Sequence, residues 1–357
     1  WEDCPDNICF RMELGDKTAV AHAIESADHV TRLKLPMHRV AINPMEPRAA
    51  IGSYDPFEDR YTLYSGNQFP HDMRNWLSEA VLSVAESQIR IVSPDMGGSF
   101  GLRANIFPEL PLVLWAAKKL NRPVKWTNER SDSILDEQAR DMVMDVELAI
   151  DKNGDFLALR VQCLANMGAY LSNFGPLPAF GNLGGVAGVY QTPAIHGEVL
   201  GVFTNTSPTG PYRGAGRPEA STVLEQLVDE AARKLAIDPA EIRRRNTIPA
   251  DAMPYKTSLT FTYDSGAFEK NMDDALALAE YASFELRRDQ ANEHGRLRGI
   301  GISNTVHRAS GLELEAAQIR FDASGTATLM VGSVHHGQGH ATTFIQIACD
   351  RLGLNPS

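Results

Sequence analysis

The sequence is short of cysteine, of positive charge and of long apolar runs, and each shortage excludes a class of protein. Four cysteines in 357 residues are too few and too dispersed for a disulfide framework. A formal net charge of -11 disfavours nucleic acid and anionic lipid as partners. The longest apolar run, near 110–117, is far shorter than the roughly 20 residues that cross a bilayer, and no secretory signal opens the chain. We therefore expect no membrane span and a cytoplasmic location.

What is present is the composition of a packed protein, with 43% hydrophobic and 22% charged residues. Alternating apolar side chains predict two β-hairpins, one at 142–163 with its turn at 151–155 and one at 317–334 with its turn at 322–325. Helical periodicity predicts four helices, at 108–120, 218–236, 271–288 and 341–352. Strand pairs interspersed with helices predict an α+β fold, with mixed sheets and packed helices.

Three loops concentrate glycine beside a polar or aromatic side chain: DMGGSFG at 95–101, PYRGAGR at 211–217 and HHGQGH at 335–340. Glycine lets peptide N–H groups approach a ligand without a Cβ in the way, so such loops suit a large anionic cofactor. Each loop taken alone is as readily an ordinary tight turn. The first does not follow the G-x-G-x-x-G spacing and no acidic residue closes a βαβ unit after it, which disfavours a Rossmann site.

Metal-ligating side chains do not form a recognisable pattern. His335, His336 and His340 lack the Cys or acidic partners of a zinc site, and the glycines between them disfavour a regular helix. Cys4 and Cys9 enclose four residues, one element of an iron–sulfur spacing whose other ligands are missing. We therefore predict no metal bound directly by protein side chains, and no Ser, His, Asp spacing indicates a nucleophile.

Taken in order with NPMEPRAA at 43–50 and YSGNQ at 64–68, the three loops resemble the molybdopterin-binding large subunit of the molybdenum hydroxylases. This family includes xanthine dehydrogenase, aldehyde oxidase and aerobic carbon-monoxide dehydrogenase. The resemblance covers essentially the whole chain and implies the molybdenum-cofactor-binding fold of that subunit. It implies a remnant of the N-terminal domain and linker at 1–40, a first cofactor-binding subdomain at 41–257 and an incomplete second one at 258–357.

The resemblance also implies which residues bind the cofactor. Gln68 is similar to the glutamine that hydrogen-bonds the apical oxygen of molybdenum, and Arg213 to the arginine whose segment lines the other side of the metal. Gln338 is similar to the glutamine that holds the pterin. The full implied set is Gln68, Gly98, Ser99, Phe100, Gly101, Arg213, Gly214, Gly337, Gln338 and Gly339.

The implied activity is oxidation of an electron-poor carbon with oxygen derived from water, on a molybdenum–molybdopterin cofactor that some members carry as a cytosine dinucleotide. Electrons would leave through 2Fe-2S clusters on a small subunit to FAD on a medium subunit, because neither group has a site here. The family's catalytic glutamate belongs to a Gly-x-Gly-Glu motif farther along than Ser357, so no catalytic residue is assigned. A chain running from Trp1 to Ser357 is thus expected to be a fragment, inactive by itself.

Substrate is constrained by exclusion. Copper-dependent carbon-monoxide-oxidising members have a cysteine where this chain has Gly214, and purine-oxidising members have a glutamate and a phenylalanine where it has Ala104 and Ala215. YRGAGR is similar to the form II branch, which acts on aldehydes or N-heteroaromatics, and both substrate classes stay open. Three alternatives stay open: a catalytically silent cofactor-binding scaffold, a binding protein for another anion, and a carbon-monoxide-dehydrogenase-type chain without the copper-site cysteine.

Overall fold

The computed structural model describes residues 1–181, 183–307 and 315–355. Its strands are β1 Ile8–Gly15, β2 His29–Met37, β3 Val40–Ala41, β4 Ala49–Asp55, β5 Arg60–Ser65, β6 Ile89–Val92, β7 Val124–Thr127, β8 Gln138–Ala139, β9 Met142–Ile150, β10 Phe156–Gly168, β11 Ala194–Phe203, β12 Thr209–Gly210, β13 Tyr255–Lys256, β14 Thr262–Tyr263, β15 Ala317–Phe321 and β16 Ala327–Val331.

Its α-helices are α1 Lys17–Ser26, α2 Pro70–Trp76, α3 Glu109–Leu120, α4 Arg130–Asp136, α5 Leu177–Phe180, α6 Arg217–Leu235, α7 Pro239–Asn246, α8 Phe268–Leu278, α9 Phe284–Glu293 and α10 His340–Leu352. A π-helical turn at Leu77–Leu82 extends α2, and short 3-10 turns lie at Glu86–Gln88, Leu102–Ala104, Leu183–Ala187, Ala250–Ala252 and Tyr281–Ser283. Sheets of mixed direction packed with helices confirm the predicted α+β fold.

The largest sheet has the strand order β1-β11-β10-β9-β2 and carries the main core. The predicted hairpin at 142–163 is confirmed as the antiparallel pair β9 and β10. Its turn forms because Asp151 Oδ1 accepts the N–H groups of Asn153 and Asp155, both at 2.8 Å. Helix α6 buries Leu227 and Val228 completely in the same core, as its periodicity predicts.

A four-stranded sheet, β6-β5-β4-β7, forms the second core together with α2 and α3. Helix α3 lies close to β4 because β4 presents Gly52 to it: a Cβ there would be 2.5 Å from the Val113 carbonyl. Leu63, Met73 and Leu114 fill the space between sheet and helices and are fully buried. Strands β5 and β6 lead directly into the segments that contain Gln68 and the 95–101 loop.

The prediction of one continuous helix at 271–288 is wrong. Helix α8 ends at Leu278, Glu280 adopts a left-handed backbone with φ +49°, and α9 begins only at Phe284. Arg287 stabilises this break, since its Nη2 donates to the carbonyls of Ala279 at 2.7 Å and Glu280 at 2.9 Å. A periodic pattern does not reveal a side chain that binds the carbonyls freed by a helix end.

The C-terminal part follows the predicted order of a hairpin and then a helix. β15 pairs with β16 around a turn at Asp322, confirming the hairpin, and α10 confirms the helix predicted at 341–352. Every residue of β15 is exposed and α10 buries none, so the described residues 315–355 add nothing to the buried cores. The segment boundaries at 40 and 257 stay predictions, although β1 and β2 share the large sheet with β9, β10 and β11.

Among the described residues, no helix has both the length and the apolar character needed to span a bilayer.

Candidate functional site

Gln68 follows β5 and is held at its backbone and at its side chain. Its peptide N–H donates to the Arg103 carbonyl at 3.0 Å, and its Oε1 accepts the Ser99 hydroxyl at 2.7 Å. Its amide nitrogen, Nε2, has no hydrogen-bond acceptor in the part of the chain that the structure describes. Gln68 therefore presents a free N–H₂ donor group away from Ser99.

The 95–101 loop runs through three left-handed positions, Gly98 with φ +105°, Phe100 with φ +55° and Gly101 with φ +103°. The peptide N–H groups of these residues find no acceptor among residues 1–181, 183–307 and 315–355. Alternating backbone conformations of this kind make an anion-binding concavity. The Phe100 ring lies beside it and is 44% exposed.

Two charged residues that the sequence analysis missed support this loop. Arg103 is 3% exposed; its Nε donates to the Gly98 carbonyl at 2.9 Å and its Nη2 to the Glu46 carbonyl at 2.9 Å. The Glu46 carboxylate lies 3.1 Å from Arg103 and accepts the Gly97 N–H at 2.6 Å. Burial lowers the pKa of Arg103, and Glu46 opposes that shift. Glu46 stands in the quoted NPMEPRAA motif, but neither residue belongs to a local charge pattern that indicates the contact.

The 211–217 loop packs directly against the first one. Arg213 donates its peptide N–H to the Phe100 carbonyl at 2.9 Å, and a Cβ on Gly101 would lie 2.4 Å from the Pro211 carbonyl oxygen. The Arg213 side chain is exposed and has no ion-pair partner within the described ranges. The Arg213 backbone thus joins the two loops, and its exposed guanidinium is open to a ligand.

Arg140 supports the 211–217 loop from behind. It follows β8 in a left-handed conformation, φ +64°, and Asp141 follows with φ +73°. The Arg140 guanidinium lies 5.3 Å from the centre of the Tyr212 ring and 2.8 Å from Glu219, which is 2% exposed. Arg39 holds Asp141 at 2.8 Å. Two ion pairs therefore stabilise a strained backbone that places a cation against Tyr212.

The third loop, at 335–340, forms no hydrogen bond to the other two loops among the described residues. Gln338 Oε1 accepts the His336 N–H at 2.7 Å and its Nε2 is 3.0 Å from His336 Nδ1, so the bonds of Gln338 stay within its own loop among the described residues. A Cβ on Gly337 or Gly339 would meet no atom within 4 Å. Burial, followed by the charges of His340 and His335, lowers the pKa of His336. In the described chain, no three His, Cys, Asp or Glu residues form a metal-binding group.

These donors fit a phosphate-bearing, oxygen-rich cofactor. Within the described part of the chain, no acceptor binds Gln68 Nε2, the amides of Gly98, Phe100 and Gly101, or the Arg213 guanidinium. The Ser99 hydroxyl links the 95–101 loop to Gln68, and the Phe100 carbonyl links the same loop to Arg213. These two bonds bring the segments that carry the donors together. A ligand rich in acceptor oxygens satisfies such a set, whereas an apolar or cationic ligand does not.

Comparison with known proteins identifies the family. Residues 1–247 match a family model described as a molybdopterin cofactor-binding domain, and residues 274–357 match a second model of the same description. The nicotine 6-hydroxylase large subunit of Paenarthrobacter nicotinovorans is 33% identical over 98% of this chain and 44% of its own length. The carbon monoxide dehydrogenase large chain of Hydrogenophaga pseudoflava is 34% identical over 98% of this chain and 46% of its own length. The chain thus spans less than half the length of these relatives.

Solved structures agree with this result. Quinoline 2-oxidoreductase from Pseudomonas putida 86 is 28% identical with a TM-score of 0.89, over 98% of this chain and 46% of that one. The aldehyde oxidoreductase of Desulfovibrio gigas, at 22% identity and a TM-score of 0.78 over 98% of this chain and 38% of that one, shares the fold. The two family models, the relatives and the solved structures agree. The chain belongs to the molybdenum hydroxylase large-subunit family and carries its molybdopterin cofactor-binding domains.

Proposed function

We propose that this chain is the cofactor-binding part of a molybdenum-dependent hydroxylase or dehydrogenase that oxidises an N-heteroaromatic or aldehyde carbon with oxygen derived from water. The observation that carries this proposal is the meeting of unpartnered donors at the two joined loops, with Gln68 on one side and Arg213 on the other. The catalytic base, the 2Fe-2S clusters and FAD would come from other parts of the assembly. The isolated chain would accordingly be inactive, and a cytoplasmic location stays a prediction.

Each residue contributes through binding and orientation. Gln68 Nε2 would donate to an oxygen of the metal centre without adding a charge, and the loop amides of Gly98, Phe100 and Gly101 would donate to neighbouring acceptors. Arg213 would neutralise a nearby anionic group. The exposed Phe100 ring would exclude water from one side. When bound, the molybdenum cofactor supplies the oxygen that reaches the substrate carbon and accepts its electrons.

Gly337, Gln338 and Gly339 would bind the pterin from the second domain. The open space beside both glycines leaves room for such a ligand, and α10 begins directly after Gly339, so free helical N–H groups stand next to it. Gln338 would exchange its bonds with His336 for bonds to the pterin. A cytosine dinucleotide form of the cofactor is part of this proposal.

Aromatic side chains beside Gln68 favour the N-heteroaromatic class. The ring of Phe69, the next residue, lies 5.7 Å from the ring of Phe174, and the ring of Trp76 lies 5.5 Å from it. Phe69 is 39% exposed, which leaves ring surface for a flat aromatic substrate. Relatives named for nicotine and quinoline support the same class.

Copper-dependent carbon monoxide oxidation is disfavoured by the shape of the 211–217 loop. Gly214 has φ +94°, and a Cβ there would lie 2.5 Å from the Pro218 ring. A cysteine in that place would need a strained backbone and a displaced proline. This holds although two of the relatives are named carbon monoxide dehydrogenase large chains.

The first experiment is molybdenum analysis, with intact mass, of the subunit that contains this chain, purified with its natural partners. We expect about one molybdenum per large subunit, falling markedly in Arg213→Ala. A cofactor-loaded assembly that oxidises neither substrate class would support the silent scaffold instead. No molybdenum with a different bound anion would support the anion-binding alternative and overturn the proposal.

The substrate class is tested with Phe174→Leu, which removes the central ring of the aromatic group. We expect kcat/KM for an N-heteroaromatic substrate to fall about twofold to tenfold, the value of one aromatic pair, and kcat/KM for a small aliphatic aldehyde to change little. Phe10→Leu is the matched control, because it removes a β1 ring that lies 6.0 Å from the ring of Phe180 in α5. Equal losses for both substrates in Phe174→Leu would contradict the aromatic preference.

A further inference from the structure

We propose that Ser99 is a positioning residue that fixes which end of the Gln68 amide faces the cofactor. The inference rests on the proposed function, because it concerns the same site. A glutamine amide has a donor end and an acceptor end of nearly equal shape, so an amide free to turn would present either. An oxygen of a bound metal centre would be a hydrogen-bond acceptor, so only the Nε2 end of Gln68 could donate to it.

The direction of the hydrogen bond follows from the burial of Ser99. Ser99 is 0% exposed, so its hydroxyl hydrogen has no access to water. Its oxygen accepts the Arg103 peptide N–H at 3.3 Å, and Gln68 Oε1, at 2.7 Å, is the acceptor available to the hydroxyl hydrogen. If the amide turned and Nε2 faced Ser99, a buried hydroxyl hydrogen would lose its acceptor, which is unfavourable.

Gln68 is also held at its backbone, which helps to fix the amide with Oε1 towards Ser99. Its peptide N–H donates to the Arg103 carbonyl at 3.0 Å. Arg103 thus bonds the Gln68 backbone through its carbonyl and the Ser99 hydroxyl oxygen through its N–H. With both the backbone and Oε1 of Gln68 held, Nε2 is left as the unpartnered end.

Ser99 itself lies in a rigid frame. Its carbonyl accepts the Leu102 N–H at 3.1 Å, and Arg103 Nε binds the Gly98 carbonyl directly before it at 2.9 Å. The Gly97 N–H is bound to Glu46, which pairs with Arg103. Removal of the hydroxyl also frees the Arg103 peptide N–H, but these other bonds remain, so we expect the Gln68 amide to change more than the loop does.

A double-mutant cycle tests this role in the assembled, cofactor-containing enzyme, with Ser99→Ala, Gln68→Ala and the double variant. In Ser99→Ala we expect kcat to fall about tenfold with little change in KM, and the Mo(V) electron paramagnetic resonance spectrum to shift. In the Gln68→Ala background, Ser99→Ala should have almost no further effect on kcat or on the spectrum, because Ser99 acts through Gln68.

Ser133→Ala is the matched control. Ser133 is also 0% exposed and accepts one side-chain hydrogen bond, from Asn128 at 2.9 Å, but it lies in α4. We expect it to lower stability comparably while kcat and the spectrum stay unchanged.

If the kcat losses of the two single variants are additive in an enzyme that contains molybdenum, the proposed role of Ser99 is overturned and the proposed function is not. An unchanged kcat and spectrum in Ser99→Ala would do the same. A wild-type subunit without molybdenum would overturn the proposed function itself, so the two failures are distinguishable. Threonine at this position, Ser99→Thr, keeps the hydroxyl and should restore part of the lost kcat.

Discussion

Among single residues, Arg48 has the most demanding environment away from the candidate site. It is buried and reaches three carboxylates, Glu109 at 2.8 Å, Asp136 at 2.8 Å and Glu137 at 2.7 Å, while its guanidinium lies 3.6 Å from the centre of the Phe107 ring. Glu137 is 1% exposed, and burial raises its pKa. Without Arg48, this buried carboxylate would lose the cation that lies 2.7 Å from it.

Arg48→Met should therefore lower the free energy of unfolding by about 3 to 5 kcal/mol at neutral pH. The loss should shrink as the pH falls, because protonation of Glu137 removes the uncompensated charge and a raised pKa favours the protonated folded state. Urea denaturation at several pH values measures both effects. Arg74→Met, which breaks the exposed pair with Glu86, should cost under about 1 kcal/mol. Similar losses in the two variants would contradict the burial argument.

The sequence predicts the loop glycines, Gln68 and Ser99 as site residues, but it does not indicate the charged residues Arg103, Glu46 and Arg140 that support the loops. Glycine-rich loops and Gln68 are visible because they belong to ordered motifs. Arg103 and Glu46 are separated by 57 positions, and Arg140 meets Glu219 across 79, so their pairing depends on how β4, β8 and α6 pack. Such pairings are tertiary contacts, which no local spacing encodes.

Among the elements, strand β4 and helix α3 approach each other closely at Gly52. A Cβ there would lie 2.5 Å from the Val113 carbonyl and 2.7 Å from the Leu114 nitrogen, and neither backbone atom can turn away as a side chain can. Gly52→Ala should push α3 off the sheet and cost about 1 to 3 kcal/mol of unfolding free energy. Gly299→Ala, where a Cβ would meet nothing within 4 Å, is the control for chemical denaturation. A Gly52→Ala variant as stable as that control would contradict this packing.

The sequence predicts well the elements that keep one apolar periodicity along their whole length. It does not predict a break within such a periodic stretch. The β9–β10 hairpin and helix α6 each bury one continuous apolar face, and their predicted ranges lie within about two residues of the observed ones, apart from the longer end of β10. The break between α8 and α9 depends on Glu280 and on the carbonyl contacts of Arg287, which leave the apolar spacing unchanged. A local pattern also does not predict the strand order of the large sheet, because β1 and β2 pair with strands more than 100 positions away.

At the scale of the whole molecule, burial is distributed unevenly along the chain. Strands β9 and β10 lie in the middle of the five-stranded sheet, with Leu148 and Ala158 fully buried. The described residues 315–355 expose their apolar side chains instead: Ile319, Phe321, Met330, Val331, Ile345, Ile347 and Leu352 are each at least 39% exposed. Elements that bury so little apolar surface gain little from tertiary packing, which provides most of the stability of short helices and hairpins.

We therefore expect this chain, expressed by itself, to exchange its amide hydrogens unevenly. Peptides from β15, β16 and α10 should exchange at least roughly a hundredfold faster than those from β9 and β10, equivalent to a difference of about 3 kcal/mol in local opening free energy. Hydrogen–deuterium exchange with mass spectrometry measures this directly. In the complete subunit with its partners, α10 should gain protection if its exposed apolar face becomes covered, whereas β9 and β10 should change little. Equal protection of both regions in the isolated chain would mean that β15, β16 and α10 are stabilised by contacts other than burial, and the exposure of Ile347 and Phe321 would then need a different explanation.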